Sequence, residues 1–493
     1  MIYNFNLGIG WASSGVEYAQ VYRARMFRNI GVDAKFVFTD MFPSENIEHM
    51  TENIGFLDSE VIWLYTFFTD FKTAPVTYTL SDLEKTFTDL NYTKTREGKI
   101  CRYVFGGSNN FYTAYMVNDH DDFVHRVELV SNGFLIRKDY FTYGRVYSEY
   151  YAPLDNKAHL YHRRFFNENG SVVYEEINDD DRVMYKFKDK ILCSKEEFVG
   201  YMVSQLNLTS DDIVIIDRAT DIGQSILMNC KPARVGIIVH ADHFSEKDTN
   251  EDYILWNNYY EYDFNMHKHI DFYVCATQAQ SYLLKAHFEK YYGVTPCVYT
   301  IPVGSLPELK YPKDGRKPFS LITASRLASE KHIDWICKAV IQAKSKYPEL
   351  CLDIYGVGAE RTKLETIIRD NNASDYIHLM GQHDLSEVYQ NYEAYIAGST
   401  SEGFGLTLME AVGGGLPIIG FDVRYGNPTF IRNGENGYLI DLPEEDKDRV
   451  EALRKGIVNL FKQDLEKCHS VSYEVAKDFL TCNVQEKWRE AVC

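Results

Sequence analysis

The sequence predicts an α/β protein of two doubly wound domains, the first interrupted by an antiparallel β-rich insertion. Three observations carry this. Short apolar runs alternate with helical patterns in both halves of the chain. Residues 76–190 hold 13 of the 37 tyrosines, in alternating patterns broken by turn signals. A proline- and glycine-bearing segment, Val303 to Lys317, separates the two α/β stretches as a linker.

The first domain opens with an apolar strand, Ile2 to Leu7. A loop with Gly8, Gly10 and Ser14-Gly15 follows, then a helical pattern from Val16 to about Ile30. Phe36 to Phe38 is the next strand, and Glu52 to Phe71 has helix-like apolar spacing. In the insertion, Gly106 to Asn109, Asn118-Asp119, Ser131 to Gly133, Asn167 to Gly170 and Asn178 to Asp181 mark the turns of a meander. The α/β pattern resumes with Asp212 to Asp217, Val235 to Val239 and Phe272 to Ala276, apolar runs of the kind buried in parallel sheets. The second domain offers strands at Phe319 to Thr323, Cys351 to Tyr355, Tyr376 to Leu379, Ala394 to Ala397 and Pro417 to Phe421. Helices such as Asp334 to Lys346 and Leu364 to Asp370 lie between them. One last amphipathic helix, about Tyr473 to Arg489, is expected to pack back on the first domain. The expected divisions are 1–75 with 191–305, the insertion 76–190, 306–472 for the second domain, and 473–493 for the terminal helix.

Bulk properties narrow the function. A net charge of −19 argues against a nucleic-acid partner, which needs a basic footprint. The ten cysteines include no C-x-x-C pair and read as buried, reduced thiols. Met1 to Leu7 lacks the basic and apolar regions of a targeting signal, and no run of about 18 apolar residues exists. The expectation is a cytoplasmic protein, with peripheral contact at the membrane left open.

In doubly wound sheets, ligands bind at the carboxyl ends of the strands. Ser325 to Lys331 follows one such strand, so Arg326 and Lys331 lie in a loop where a diphosphate would find charge-assisted donors. A solvated surface pair reads equally well. Glu402-Gly403-Phe404-Gly405-Leu406-Thr407-Leu408-Met409-Glu410 follows the strand at Ala394 to Ala397. Gly403 and Gly405 permit close backbone approach, and a helix starting near Gly405 presents free N–H groups to an anion. Glu402 and Glu410 suit sugar hydroxyls, although each alone is also an ordinary helical acid. Gly15 marks a glycine turn that is either plain or ligand-facing. His240 and His243, after the strand Val235 to Val239, could bond a sugar, relay a proton or be structural. Asp217-Arg218 reads as a structural ion pair. No metal site is expected, because His240, Asp242 and His243 lack a third or fourth ligand nearby. No hydrolase elbow, P-loop, zincin or kinase motif is present.

Glu402-x₇-Glu410, with Arg326 and Lys331 upstream and Gly413 to Ile419 following, resembles the donor site of retaining family 4 glycosyltransferases. The resemblance implies the GT-B architecture, two Rossmann-like domains facing a cleft. Leu7 to Gln20, the β-rich insertion and Ile238 to Phe244 resemble one subfamily closely. It is the catalytic A subunit of the accessory Sec glycosyltransferase pair of Gram-positive bacteria. That resemblance covers essentially the whole chain. It implies transfer of N-acetylglucosamine from UDP-N-acetylglucosamine to Ser and Thr of serine-rich repeat adhesins, beside a homologous non-catalytic B subunit docked through the insertion. It also implies that Arg326 and Lys331 hold the diphosphate and that Glu410 binds the ribose. Glu402 and the Phe404, Gly405 and Leu406 backbone would face the sugar and β-phosphate, with Thr407 in the donor set. His240 would lie near the sugar, and Gly15 would approach from the other domain. No cofactor or metal is then expected, since the cations and the helix start would stabilise the leaving UDP. Two rival readings are a wall teichoic acid glycosyltransferase and a non-catalytic glycan- or peptide-binding subunit.

Overall fold

The computed structural model describes residues 1–9, 15–88, 90–106, 109–179 and 182–493. Gly10 and Ser14 of the glycine loop, Gly107 and Ser108, and Asp180 and Asp181 lie outside the described residues. The chain forms two compact units. One comprises Met1–Ala24, Val32–Ile238 and Asn257–Asp271, and the other Arg25–Gly31, Val239–Trp256 and Phe272–Cys493. This division differs from the boundaries expected from sequence. The insertion shares a unit with the first α/β elements, whereas Arg25–Gly31 and Val239–Trp256 group with the C-terminal half.

In the first unit, Arg234–Val239, Ile213–Ile216, Ile2–Asn6, Ala34–Phe38 and Val61–Trp63 run side by side and parallel in that order. Their apolar runs are buried on both faces, which is why they show no alternation. The helix Gly15–Ile30 follows the first strand. The stretch expected to be helical from Glu52 is not. The helix Ile47–Glu52 stops there, and the β-branched pair Val61-Ile62 with Trp63 joins the sheet against Phe36–Phe38. Apolar spacing alone could not separate a helix from a three-residue buried strand followed by turns. Asp217 also departs from expectation: it pairs with Arg23, not with Arg218, and Gln20 donates to it at 2.8 Å. Arg218 lies 3.7 Å from Glu17 instead.

The insertion is a ten-stranded meander in which each strand from Tyr92–Glu97 to Ile191–Leu192 pairs with its sequence neighbour. Asn132 and Gly133, both with positive φ, close one hairpin as the sequence Ser-Asn-Gly requires. Five of its 13 tyrosines face inward. Tyr103, Tyr140, Tyr147, Tyr174 and Tyr185 are buried. The helix Lys195–Gln205 covers one end of the sheet, with Phe198 stacked on Tyr185 at 4.1 Å. Tyr92, Phe134, Leu154 and Tyr161 remain exposed.

Asp263, in the short helix Glu261–Asn265, is 1% exposed, and neither of its carboxylate oxygens has a hydrogen-bond partner among the described residues. Burial pushes this carboxyl up from 3.8 to about 7. Between those values the folded state holds a proton that the unfolded state releases. Stability should therefore fall as pH rises through the window, by about 1.4 kcal/mol per pH unit. Melting temperatures at pH 5 and pH 8 test this. Asp263→Asn should flatten the difference, and an unchanged difference would count against it.

In the second unit, six parallel strands lie in the order Ile377–Gly381, Cys351–Tyr355, Ser320–Ala324, Ala394–Ile396, Ile418–Phe421 and Gly437–Ile440. Numbered along the chain this is 3-2-1-4-5-6, the Rossmann order. Its switch point lies between Ser320–Ala324 and Ala394–Ile396. The sixth strand escaped the sequence reading because it is short and starts at Gly437, whose φ of 143° a side chain rarely adopts. The terminal helix is two helices, Leu465–Lys477 and Thr481–Val492. The chain breaks between them where Leu306 N donates to Phe479 O at 2.8 Å and Thr481 N to Leu306 O at 2.9 Å. Within this unit Trp488 packs edge-on against Phe27 at 5.3 Å. Cys193, Cys297, Cys482 and Cys493 are exposed, not buried, and all ten cysteines are free. Among the described residues no helix is long and apolar enough to cross a membrane.

Candidate active site

The second unit's switch point gathers several candidate residues from two loops. The strand Ser320–Ala324 ends in the loop carrying Arg326 and the turn Ser329–Lys331. Ser325 N donates to Tyr355 O at 3.1 Å and Leu327 N to Val357 O at 3.0 Å, so this loop continues the sheet edge. Gly356 and Gly358 make that approach possible. A Cβ on Gly356 would lie 1.9 Å from Ser325 O, and one on Gly358 2.4 Å from Leu327 O. Gly398, after the neighbouring strand, presses on Lys331 O at 2.9 Å in the same sense.

Glu402 begins the second loop. Its backbone bridges to Tyr425: Glu402 N donates to Arg424 O at 3.1 Å, and Gly426 N donates to Glu402 O at 2.7 Å. Its carboxylate accepts a hydrogen bond from Lys331 Nζ at 2.6 Å, with each side chain about one-fifth exposed. Gly405, with φ 88°, turns the chain into the eight-residue helix Leu406–Gly413. Thr407 Oγ1 lies 3.1 Å from the Tyr395 hydroxyl, which donates to Ala324 O at 2.9 Å and ties the helix start to the switch point. Glu410, half-buried in that helix, accepts from the Tyr389 hydroxyl at 3.0 Å. Burial raises the Glu410 carboxyl above its usual range, and the Tyr389 hydrogen bond partly opposes this.

The structure thus brings Lys331, Glu402, Gly405, Thr407 and Glu410 into one loop cluster. Arg326 does not join them: its side chain is 80% exposed and reaches Glu330 at 3.3 Å. Phe404 contributes only backbone, since its ring is buried against Phe430 and Phe479. Leu406 turns its side chain toward Gly304. His240 is half-buried, and its carbonyl lies 3.7 Å from where a Gly403 Cβ would stand. His243 is not available to a ligand. It is fully buried, with Nε2 3.1 Å from His287 Nδ1, and burial lowers it to about 3. Gly15 opens its helix in the first unit, and among the described residues outside its chain neighbours no atom lies within 4 Å of a would-be Cβ. Among the described residues no group of three or more His, Cys, Asp or Glu could hold a metal ion.

Sequence reasoning missed Tyr389, Tyr395 and Tyr425, whose partners lie 12 to 183 residues away. It also missed Gly356, although Gly-x-Gly directly after the strand Cys351–Tyr355 was a readable signal of close approach.

A Rossmann-order sheet with a cation–carboxylate pair and a helix start at its switch point, in a chain that holds a second α/β unit, defines a glycosyltransferase of GT-B architecture. Known proteins agree. Residues 310–478 match the family of glycosyl transferases group 1, and residues 93–189 match the GtfA extended beta-sheet domain. The chain is 51% identical to the UDP-N-acetylglucosamine–peptide N-acetylglucosaminyltransferase GtfA subunit of Streptococcus agalactiae, covering 99% of this chain and 97% of the relative. Among solved structures it resembles a chain of a GtfA/B complex with a TM-score of 0.96 and 51% identity, over 100% of this chain and 99% of that one. It also resembles the pneumococcal O-GlcNAc transferase GtfA in complex with UDP and GlcNAc. There the TM-score is 0.87 and the identity 50%, over 100% and 98% of the two chains. The chain belongs to the family of UDP-N-acetylglucosamine–peptide N-acetylglucosaminyltransferase GtfA subunits.

Proposed function

We propose that this chain transfers N-acetylglucosamine from UDP-N-acetylglucosamine, with retention, to Ser and Thr hydroxyls of a serine-rich repeat adhesin, the first step of its O-glycosylation. The observation that carries the reading is the Lys331–Glu402 pair at the start of the helix Leu406–Gly413, on the switch point of a Rossmann-order sheet. The bond from the anomeric carbon to the UDP oxygen breaks as the acceptor oxygen bonds to that carbon. The acceptor's proton passes to the departing phosphate oxygen on the same face. Lys331, Arg326 and the free N–H groups of the helix start oppose the charge that grows on UDP, so the reading includes no metal. Arg326 would swing from Glu330 to reach the diphosphate, an exchange that costs little because the pair is exposed. Glu402 and the backbone of Phe404, Gly405 and Leu406 face the sugar and β-phosphate, with His240 near the sugar. We place the protein in the cytoplasm, with peripheral contact at the membrane face. Its partner is a homologous non-catalytic subunit docked on the ten-stranded sheet. The exposed Tyr92, Phe134, Leu154 and Tyr161 favour that surface.

UDP release from UDP-N-acetylglucosamine with a serine-rich peptide, with and without the partner subunit, tests the reading. Peptide-dependent release that Arg326→Ala lowers at least about tenfold is expected. No release under any condition would point instead to a binding subunit.

Glu410 gives a prediction with a pH sign. Ribose hydroxyls donate to a carboxylate, so UDP affinity should fall as pH drops through the raised Glu410 value. Tyr389→Phe removes a hydrogen bond that favours the carboxylate. It should weaken UDP binding about fivefold near pH 7 and move the acid limb to higher pH. Calorimetric titration of UDP between pH 5.5 and 8 would reveal an unshifted limb if Glu410 plays no such part.

A further inference from the structure

Arg424 and Tyr425 grip two loops of the second unit at once. Their backbones bridge Glu402, with Arg424 O accepting from Glu402 N and Tyr425 N donating to Glu402 O. Their side chains hold the segment after Val239. The Tyr425 hydroxyl donates to Asp242 Oδ1 and lies 3.5 Å from His243 Nδ1. Arg424 pairs with Glu246 at 2.9 Å and sits over the Phe244 ring at 5.0 Å. Tyr425 is 2% exposed, and the next residue, Gly426, packs so closely that an added Cβ would lie 2.3 Å from Phe404 O. At the far end of the segment, the His240 carbonyl stands over Gly403. The segment His240 to Glu246 is therefore tied to the Glu402 loop through one phenol and one guanidinium. The phenol makes the more buried link.

We propose that Tyr425 is a positioning residue for sugar transfer, its hydroxyl holding Asp242 so that His240 is set beside Gly403. This rests on the transferase reading above. It predicts a particular kinetic split, because Lys331, Thr407 and Glu410 touch neither partner of the Tyr425–Asp242 bond. A group that sets geometry at the sugar, and not affinity at the nucleotide, acts on kcat alone.

The test uses the full chain with its partner subunit, UDP-N-acetylglucosamine and a serine-rich peptide. Tyr425→Phe keeps the ring and should lower kcat by about tenfold to a hundredfold, leaving donor KM and UDP affinity within about twofold. Asp242→Asn keeps an oxygen that accepts from the phenol and should retain activity within about threefold, whereas Asp242→Leu should match Tyr425→Phe. The double variant Tyr425→Phe/Asp242→Leu should be no worse than either single one. Full kcat in Tyr425→Phe, a parallel loss of UDP affinity, or equal damage from Asp242→Asn and Asp242→Leu would each overturn the proposal. If wild type transfers no sugar, the transferase reading fails separately. Hydrogen exchange of residues 239–246 then decides, with faster exchange in Tyr425→Phe expected and unchanged exchange overturning the link.

Discussion

Lys331→Met is expected to lower sugar transfer by about 10²–10³, the loss typical of removing one preorganised donor from a developing anion. Two effects combine. The variant removes the cation proposed to face the diphosphate, and it strands Glu402. That carboxylate is about four-fifths buried and its 2.6 Å hydrogen bond from Lys331 would have no replacement. An uncompensated charge at this depth disfavours the loop conformation itself, though less than in a dry core, because the remaining exposure admits water. Glu402→Gln keeps the shape and an oxygen acceptor but removes the charge. Its loss should be smaller in UDP affinity than that of Lys331→Met. The double variant should lose less than the product of the two, since each single variant already breaks the pair. Transfer rates and UDP affinities for the four proteins measure the coupling. Strictly multiplicative losses would mean that the two side chains act separately despite their contact.

Gly356→Ala is expected to destabilise the second unit by about 3 kcal/mol or more, lowering its melting temperature by roughly 10 °C. Gly356 has φ 131°, and an added Cβ would lie 1.9 Å from the Ser325 carbonyl. Nothing flexible can yield there. Ser325 N is bonded to Tyr355 O, and Gly356 N to Gly381 O at 2.7 Å, so relief must move the strand end or the loop bearing Arg326 and Lys331. Gly315→Ala is the comparison: its φ is 82°, but among the described residues no atom outside its chain neighbours lies within 4 Å of a Cβ. That change should cost only about 1 kcal/mol, the price of positive φ without a clash. Equal melting temperatures for the two variants would show that the strand end relaxes freely. If Gly356→Ala folds, its transfer rate should still fall, because the displaced loop carries the cations.

By itself the sequence determined the alternation of apolar runs and helices and the meander, and it offered Arg326, Lys331, Glu402 and Glu410 as candidates. These are local properties. A buried parallel strand must be apolar throughout, a hairpin with positive φ favours Asn-Gly, and a helix start after a strand exposes its own N–H groups. Only the tertiary structure decided which of these groups meet. Lys331 and Glu402 are 71 residues apart, and no periodicity links them. Asp217 could have paired with adjacent Arg218 but pairs with Arg23, because the side chains of neighbours along an extended chain diverge. Glu52 to Phe71 and Tyr473 to Arg489 carried helical spacing, yet pairing with Phe36–Phe38 and with Leu306 broke them. The sequence records what each residue prefers; contact between distant residues is set by which strands lie side by side, and the strand order 3-2-1-4-5-6 exists only in the folded sheet.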